Sequence, residues 1–254
     1  MTSSIWSSPN NEITQFPIKQ LLNFYKNHQL LNFFIRPKWR TISDGSKNYV
    51  EKIISKLKKN AKNKLYLNTK IVNLQKESSK LILYEKDGRK FVFDYVIFAN
   101  HTDEISKIIF NLDKKISLKI KKFRYQKNIA YVHTDKKFMP KRKLNWSSWN
   151  HLNYKNQSAV TYWMNKLQNL KTQKNIFITL NPMVMPSKDS IIKKIEYSHP
   201  IYNIDSFTVQ KYIKNIQGKN NLFFTGAWTG DGFHEDGVKS ALELARYLKI
   251  KNIF

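Results

Sequence analysis

Residues 221–248, NLFFTGAWTGDGFHEDGVKSALELARYL, constrain this chain more than any other stretch. The apolar run Leu222, Phe223, Phe224 has the character of a short buried strand. A glycine-rich turn follows, holding four of the chain's seven glycines: Gly226, Gly230, Gly232 and Gly237. Glycine admits positive φ and lets a ligand come close to the backbone. After Gly237, the residues Val238, Ala241, Leu242, Ala245 and Leu248 recur at helical spacing, and Asp236 stands where an N-cap belongs. A strand, a glycine turn and a helix start together offer N–H groups and a positive dipole end to an anionic or electron-rich ligand. The plainer reading is a tight strand-to-helix turn whose glycines serve packing alone.

Two phosphate motifs do not fit this turn. A dinucleotide fingerprint needs its third glycine where Glu235 stands. In GFHEDGVKS the P-loop lysine position holds Val238, and Glu235 and Asp236 would set two carboxylates against the phosphates. The segment FTGAWTGDGFHEDGVKSALELA instead closely resembles the C-terminal flavin-contacting segment of FAD-dependent, amine-oxidase-like oxidoreductases. It is most similar to a bacterial branch described as NAD/FAD-binding proteins. The resemblance implies that Gly226, Ala227, Trp228, Gly232 and Phe233, with the backbone of His234, Asp236, Gly237 and Val238, lie beside the flavin ring and ribityl chain.

The resemblance extends over the rest of the chain. Arg36-Pro37-x-Trp39-Arg40 followed by Asp44-Gly45-Ser46 resembles the family's R-P-x-W…G-G-S segment and implies flavin contacts at Trp39, Arg40 and Ser46. Asp44 replaces the first glycine there. By the same resemblance Ile71 and Val72 lie near the adenine end of FAD, and Ala99-Asn100-His101 forms a loop returning under the cofactor. Residues 125–128 (Y-Q-x-N), His133 to Asp135, Trp146 to Trp149 and Leu180 to Pro182 match the substrate domain. The implied chemistry is hydride transfer from a substrate C–H bond to flavin N5. His234 is the side chain of the turn able to carry protons near neutral pH.

Local patterns complete the reading. Ile18, Leu21, Leu22 and Tyr25 mark a helix face, with Pro17 at N1. Ser46 is placed to cap a helix over Lys47–Lys58. Strand signals lie at 65–67, 70–74, 80–84 and 90–93, with a hairpin turn at Asp87-Gly88. The run 94–99 is continuously apolar after Asp94, as for a strand buried on both faces. Further strands are expected at 124–133, 159–164, 176–179 and 191–197. His101-Thr102-Asp103 recurs as His133-Thr134-Asp135, yet no third or fourth ligand accompanies either pair, so a metal centre is not indicated.

Composition narrows the class. With 41% hydrophobic and 14% aromatic residues the chain is globular. It has no cysteine, which excludes disulfides and thiolate chemistry and fits a cytoplasmic protein. No apolar run approaches a membrane span, and MTSSIWSS is unlike a signal peptide. The net charge of +27 rests on 39 lysines against six arginines, spread along the chain. That is the mark of an A+T-rich genome more than of a nucleic-acid surface, which favours arginine. A basic nucleic-acid-binding protein stays as an alternative reading.

The expected fold is α/β (α+β): an incomplete FAD/NAD(P)-binding domain of glutathione-reductase-like type with an inserted antiparallel-sheet substrate domain. Residues 1–40 read as a helical part of the substrate domain, 41–115 as the middle of the FAD domain, 116–200 as the substrate-domain sheet, and 201–254 as the FAD-domain C-terminal portion. The strand–G-x-G-x-x-G–helix that opens such enzymes is not in the sequence. The chain therefore reads as a C-terminal fragment or split subunit. Its expected partners are a small-molecule substrate and a separate chain carrying the N-terminal FAD-binding half. A non-catalytic subunit completing another chain's FAD domain is the nearest alternative.

Overall fold

The computed structural model describes residues 16–32, 40–154 and 157–250. These divide into two compact units, one built from 29–65 and 126–199, the other from 16–28, 66–125 and 200–250.

The first unit holds helix α2 (Lys47–Lys58) and a five-stranded sheet. Its strands are β5 (Tyr125–His133), β6 (Trp149–Tyr154), β7 (Gln157–Trp163), β8 (Phe177–Leu180) and β9 (Ile191–Pro200), in the order β6-β7-β8-β5-β9. The ladders β6–β7, β7–β8 and β5–β8 are antiparallel. Met139, Trp146 and Phe177 form a buried cluster with Trp163 against it. The Trp146 indole donates to the Pro140 carbonyl at 2.8 Å, so the ring is fixed as core. His133 is fully buried: its Nδ1 accepts the Asp135 N–H at 3.1 Å, which puts the proton on Nε2, 2.8 Å from the Thr179 hydroxyl. Burial holds its pKa below the usual imidazole value. Asn128 and Asn181, from two of the family-like motifs, meet in this unit. The Asn181 amide donates to Asn128 Oδ1, its Oδ1 accepts the Ile129 N–H at 2.8 Å, and Asn128 Nδ2 lies 2.7 Å from His199 Nδ1.

The second unit begins with α1 (Ile18–Asn27). An antiparallel meander follows: β1 (Ile71–Glu77), β2 (Lys80–Glu85) and β3 (Lys90–Phe93), with Gly88 at positive φ in the second turn. Next come β4 (Val96–Phe98), α3 (Thr102–Ile108) and α4 (Lys114–Ile120). After Pro200 the chain forms α6 (Ile204–Asn215), β10 (Leu222–Phe224) and α7 (His234–Tyr247); α5 (Met164–Leu167) is a single turn in the other unit. β10 and β4 pair in parallel as a two-stranded sheet. The core gathers Ile105, Ile109, Ile116, Ile120, Phe123, Val209, Ile213 and the whole of β10. Asp113 caps α4 by accepting the Ile116 N–H at 2.9 Å. Asn203 and Ser206 form a reciprocal capping box at the start of α6.

Several sequence expectations need correction. Residues 65–67 form no strand. The face Ile18/Leu22 of α1 is exposed, and the buried residue is Phe24 instead; Pro17 is the N-cap, not N1. Ser46 makes no side-chain cap bond, because its own backbone is already helical, whereas a capping hydroxyl needs an extended one. Helix α7 begins at His234, three residues before Gly237, with Phe233 as N-cap. Asp236 sits inside the helix and accepts the Phe233 N–H at 2.9 Å, the returning half of a capping box. The strand β6 was not anticipated.

Candidate functional site

The parallel pairing brings two loop starts together. Phe224 lies opposite Phe98, so β10 runs into Thr225-Gly226 beside the point where β4 runs into Ala99-Asn100. Open parallel sheets bind ligands outside the carboxyl ends of their strands. The Trp228 indole N–H donates to the Asn100 carbonyl at 3.1 Å and ties the two loops. Trp228 is buried, edge-on to Phe123 at 5.7 Å. It therefore supports the turn from within rather than presenting its ring outward.

Internal hydrogen bonds shape the turn. The Ser240 hydroxyl donates to the Gly237 carbonyl at 2.8 Å and accepts the Gly226 N–H at 2.9 Å. With its one hydrogen so used, it accepts from Thr225 Oγ1 at 2.7 Å. The Gln210 amide donates to the carbonyls of Trp228 and Gly230 at 2.8 and 2.7 Å. Both residues are remote in sequence, and no local pattern announces them.

Three of the four glycines have a reason inside the protein. Gly226, at φ +130, faces the Trp228 ring, which a Cβ would meet at 3.1 Å. A Cβ at Gly230 would strike the Asp236 carboxylate at 2.6 Å, and one at Gly232, φ +92, would strike Tyr202 Oη at 2.5 Å. At Gly237 an added Cβ would meet only the Ala227 nitrogen, at an ordinary contact distance of 3.7 Å. Packing alone thus accounts for three of the four glycines that the sequence pattern links to a ligand. The amides of Asp236 and Gly237 turn to the Phe233 carbonyl, so the first turn of α7 closes on its own N-cap residue, with the positive dipole end there.

Buried titratable groups lie in and near the turn. Burial raises the Asp231 carboxyl, and Asp236 adds to it, against His28 and Lys239. Burial raises Tyr202 well above its ordinary value and pushes Tyr125 up to about 12. Phe24 of α1 stacks on Phe233 at 5.2 Å, with His28 beside both. His234 and Val238 are exposed.

The residues expected at the adenine end and in the loop under the cofactor fall in one place. Ile71, Val72 and Asn100 line a cleft of about 1070 Å³ whose walls include Val96, Ile97, Phe98 and Lys107. That is ample for a large cofactor fragment by the usual scale of ligand sites. Arg40 and Ser46 are exposed and belong to the other unit. Trp39 lies outside the described residues. No cluster of three potential metal ligands occurs among the described residues.

Comparison with known proteins decides the family. The model of the flavin containing amine oxidoreductases matches residues 5–190. The chain belongs to that family. The match ends before the glycine-rich segment 221–248, so the membership stands independently of that motif. No curated protein sequence matches the chain. Among solved structures, a CLA-producing fatty acid isomerase from P. acnes is similar, with TM-score 0.56 and 12% identity, over 82% of this chain and 52% of its own. An Exiguobacterium sp. 255-15 protein assigned as a protoporphyrinogen oxidase gives 0.56 and 11%, over 92% and 58%. A putrescine oxidase variant gives 0.53 and 10%, over 82% and 53%. These likenesses establish a mixed α/β fold shared with those proteins. The chain spans little more than half the length of each of the three.

The residues fit a flavin of this family in part. The cleft and the start of α7 are suited to the adenosine portion and to an electron-rich ring, whereas no residue pattern in the chain supplies a pyrophosphate turn. No helix among the described residues is long and apolar enough to cross a membrane.

Proposed function

We propose that this chain works within an FAD-dependent oxidoreductase acting on a C–H bond of a small-molecule substrate. When bound, the flavin supplies the hydride acceptor at N5. The chain's own part is to hold and orient. Ser240, Gln210 and the Trp228 indole keep the turn Gly226–Gly232 in one shape. The positive end of α7 favours negative charge at the group it faces. Ile71 and Val72 take the adenosine portion in the cleft, with Asn100 in the loop beneath the cofactor. In this reading 41–115 and 201–254 form an FAD domain of glutathione-reductase-like type, and 1–40 with 116–200 form the inserted substrate domain. A separate cytoplasmic chain carrying the N-terminal FAD-binding half completes the enzyme.

The observation that carries the reading is the family match, joined to a parallel strand pair that ends at Phe98 and Phe224, two residues before Asn100 and Gly226. A second reading is a non-catalytic subunit that completes another chain's FAD domain. Expression alone, and together with a polypeptide carrying the dinucleotide motif, followed by an absorbance spectrum, tests both. Flavin bands with substrate turnover support the first, and flavin bands without turnover the second. Absence of flavin in either setting refutes both.

A further inference from the structure

A second groove lies beside β10, between α6 and α7, and shares no lining residue with the cleft next to β4. It holds about 270 Å³, below the usual scale of drug-sized ligand sites and suited to a smaller molecule. Ile213, Phe224 and Leu244, all buried, give it an apolar lining.

Its polar groups are sorted by type. On the α6 side stands the exposed ammonium of Lys214. Gln217, just beyond α6, accepts the Phe224 N–H at 3.0 Å and donates one amide hydrogen to the Phe224 carbonyl at 2.7 Å, so a second hydrogen is left to give. On the α7 side stands the exposed carboxylate of Glu243. Tyr247, one turn further on, spends its hydroxyl hydrogen on the Gln217 carbonyl at 3.0 Å and keeps its oxygen as an acceptor. Gln210 spends both amide hydrogens on the Trp228 and Gly230 carbonyls, which leaves its Oε1 as an acceptor too. Among the described residues neither Lys214 nor Glu243 enters an ion pair. A cation and an anion thus face one groove from two helices without closing on each other.

We propose that this groove binds a free α-amino acid with an apolar side chain. Lys214 and the spare Gln217 N–H receive its carboxylate. Glu243, with the oxygens of Tyr247 and Gln210, receives its ammonium. Ile213, Phe224 and Leu244 take the side chain. A ligand with only one charge would leave the like-charged wall group opposed to it, so the pair selects a molecule carrying both. Gln210 and Ser240 belong to the groove and also hold the turn Gly226–Gly232, so occupancy is felt at the turn. The proposal uses no flavin contact and stands or falls apart from the flavin reading.

NMR titration of the full isotope-labelled chain with L-leucine tests it. The expected result is saturable shifts at the side-chain amides of Gln210 and Gln217 and at the backbone amides of Gly226 and Gly230. Glycine, which has no side chain to bury, should bind about tenfold more weakly. Two analogues each lack one charge: 3-methylbutylamine has no carboxylate, and 4-methylpentanoate has no ammonium. Each should bind about fivefold more weakly than leucine, the scale of an exposed ion pair. Lys214→Gln should weaken leucine and 4-methylpentanoate by about that factor and spare 3-methylbutylamine. Glu243→Gln should weaken leucine and 3-methylbutylamine and spare 4-methylpentanoate. Both side chains are exposed, so neither change disturbs the core. No saturable shift with leucine, shifts at the cleft residues Ile71 and Asn100 in place of the groove, or the same loss for all three ligands in both variants would overturn the proposal.

Discussion

Gly232 offers a sharp division between packing and ligand approach. Replacing it with alanine has two costs inside the protein. Its φ of +92 lies in a region that L-residues adopt at a penalty of about 1–2 kcal/mol. The new Cβ would also stand 2.5 Å from Tyr202 Oη, and Tyr202 is itself buried. Overpacking of this kind costs about 1–3 kcal/mol. Gly232→Ala should therefore lose roughly 2–5 kcal/mol. Tyr202→Phe removes the colliding oxygen, and the next contacts are ring carbons at 3.1 and 3.2 Å. In that background the alanine should cost about 1–2 kcal/mol less, a coupling readable from a double-mutant cycle. Denaturant unfolding followed by tryptophan fluorescence gives the four stabilities, and unchanged slopes confirm that they compare. Equal penalties in the two backgrounds, or no penalty in either, would refute the argument. FAD retention in the double variant is a second readout: undiminished binding would make Gly232 a packing glycine alone.

Ser240→Ala removes the acceptor of the Gly226 N–H and of the Thr225 hydroxyl, and should lose about 2–3 kcal/mol by thermal or chemical unfolding; a loss near zero would mean the turn does not depend on that hydroxyl. His133 has a folded pKa below its unfolded value of about 6.5. Its neutral form thus supports the fold above that pH, and stability is lost as pH falls from about 6.5 through the folded pKa. Unfolding measured from neutral to mildly acid pH should show this slope, and His133→Gln should flatten it. Asp231 has a raised carboxyl pKa, so its contribution is lost as pH rises through that value. Asp231→Asn should consequently gain stability at neutral pH and gain less in acid, as read from denaturation midpoints at the two pH values.

The strand–turn–helix 222–247 was legible because its apolar residues keep helical period and its glycines cluster. The start of α7 was misplaced for a simple reason. An aspartate reads the same at N-cap and at the third helical position, and only the Phe233 N–H bond tells them apart. The run 94–99 has the composition of a strand covered on both faces. Among the described residues it has one partner strand, so Ile97 is left exposed. Strand β6 escaped notice because WNHLNY carries little apolar character of its own, and it is held by antiparallel pairing with β7. Tyr202, Gln210, Ser240 and His28 were invisible as site residues, since each reaches the turn through tertiary packing with no local motif. The repeated His-Thr-Asp proved to hold two different structures: His101 is an exposed N-cap residue stacked on Tyr125, while His133 is a buried donor to Thr179.

The central claim is that the cleft beside β4 and the start of α7 receive FAD. Titration of the isotope-labelled chain with FAD, followed amide by amide by NMR, tests it most directly. The account expects saturable shifts at Ile71, Val72 and Asn100, and at Ala227, His234 and Glu235. Shifts confined to the lysine-rich surface, or none at saturating FAD, would contradict it.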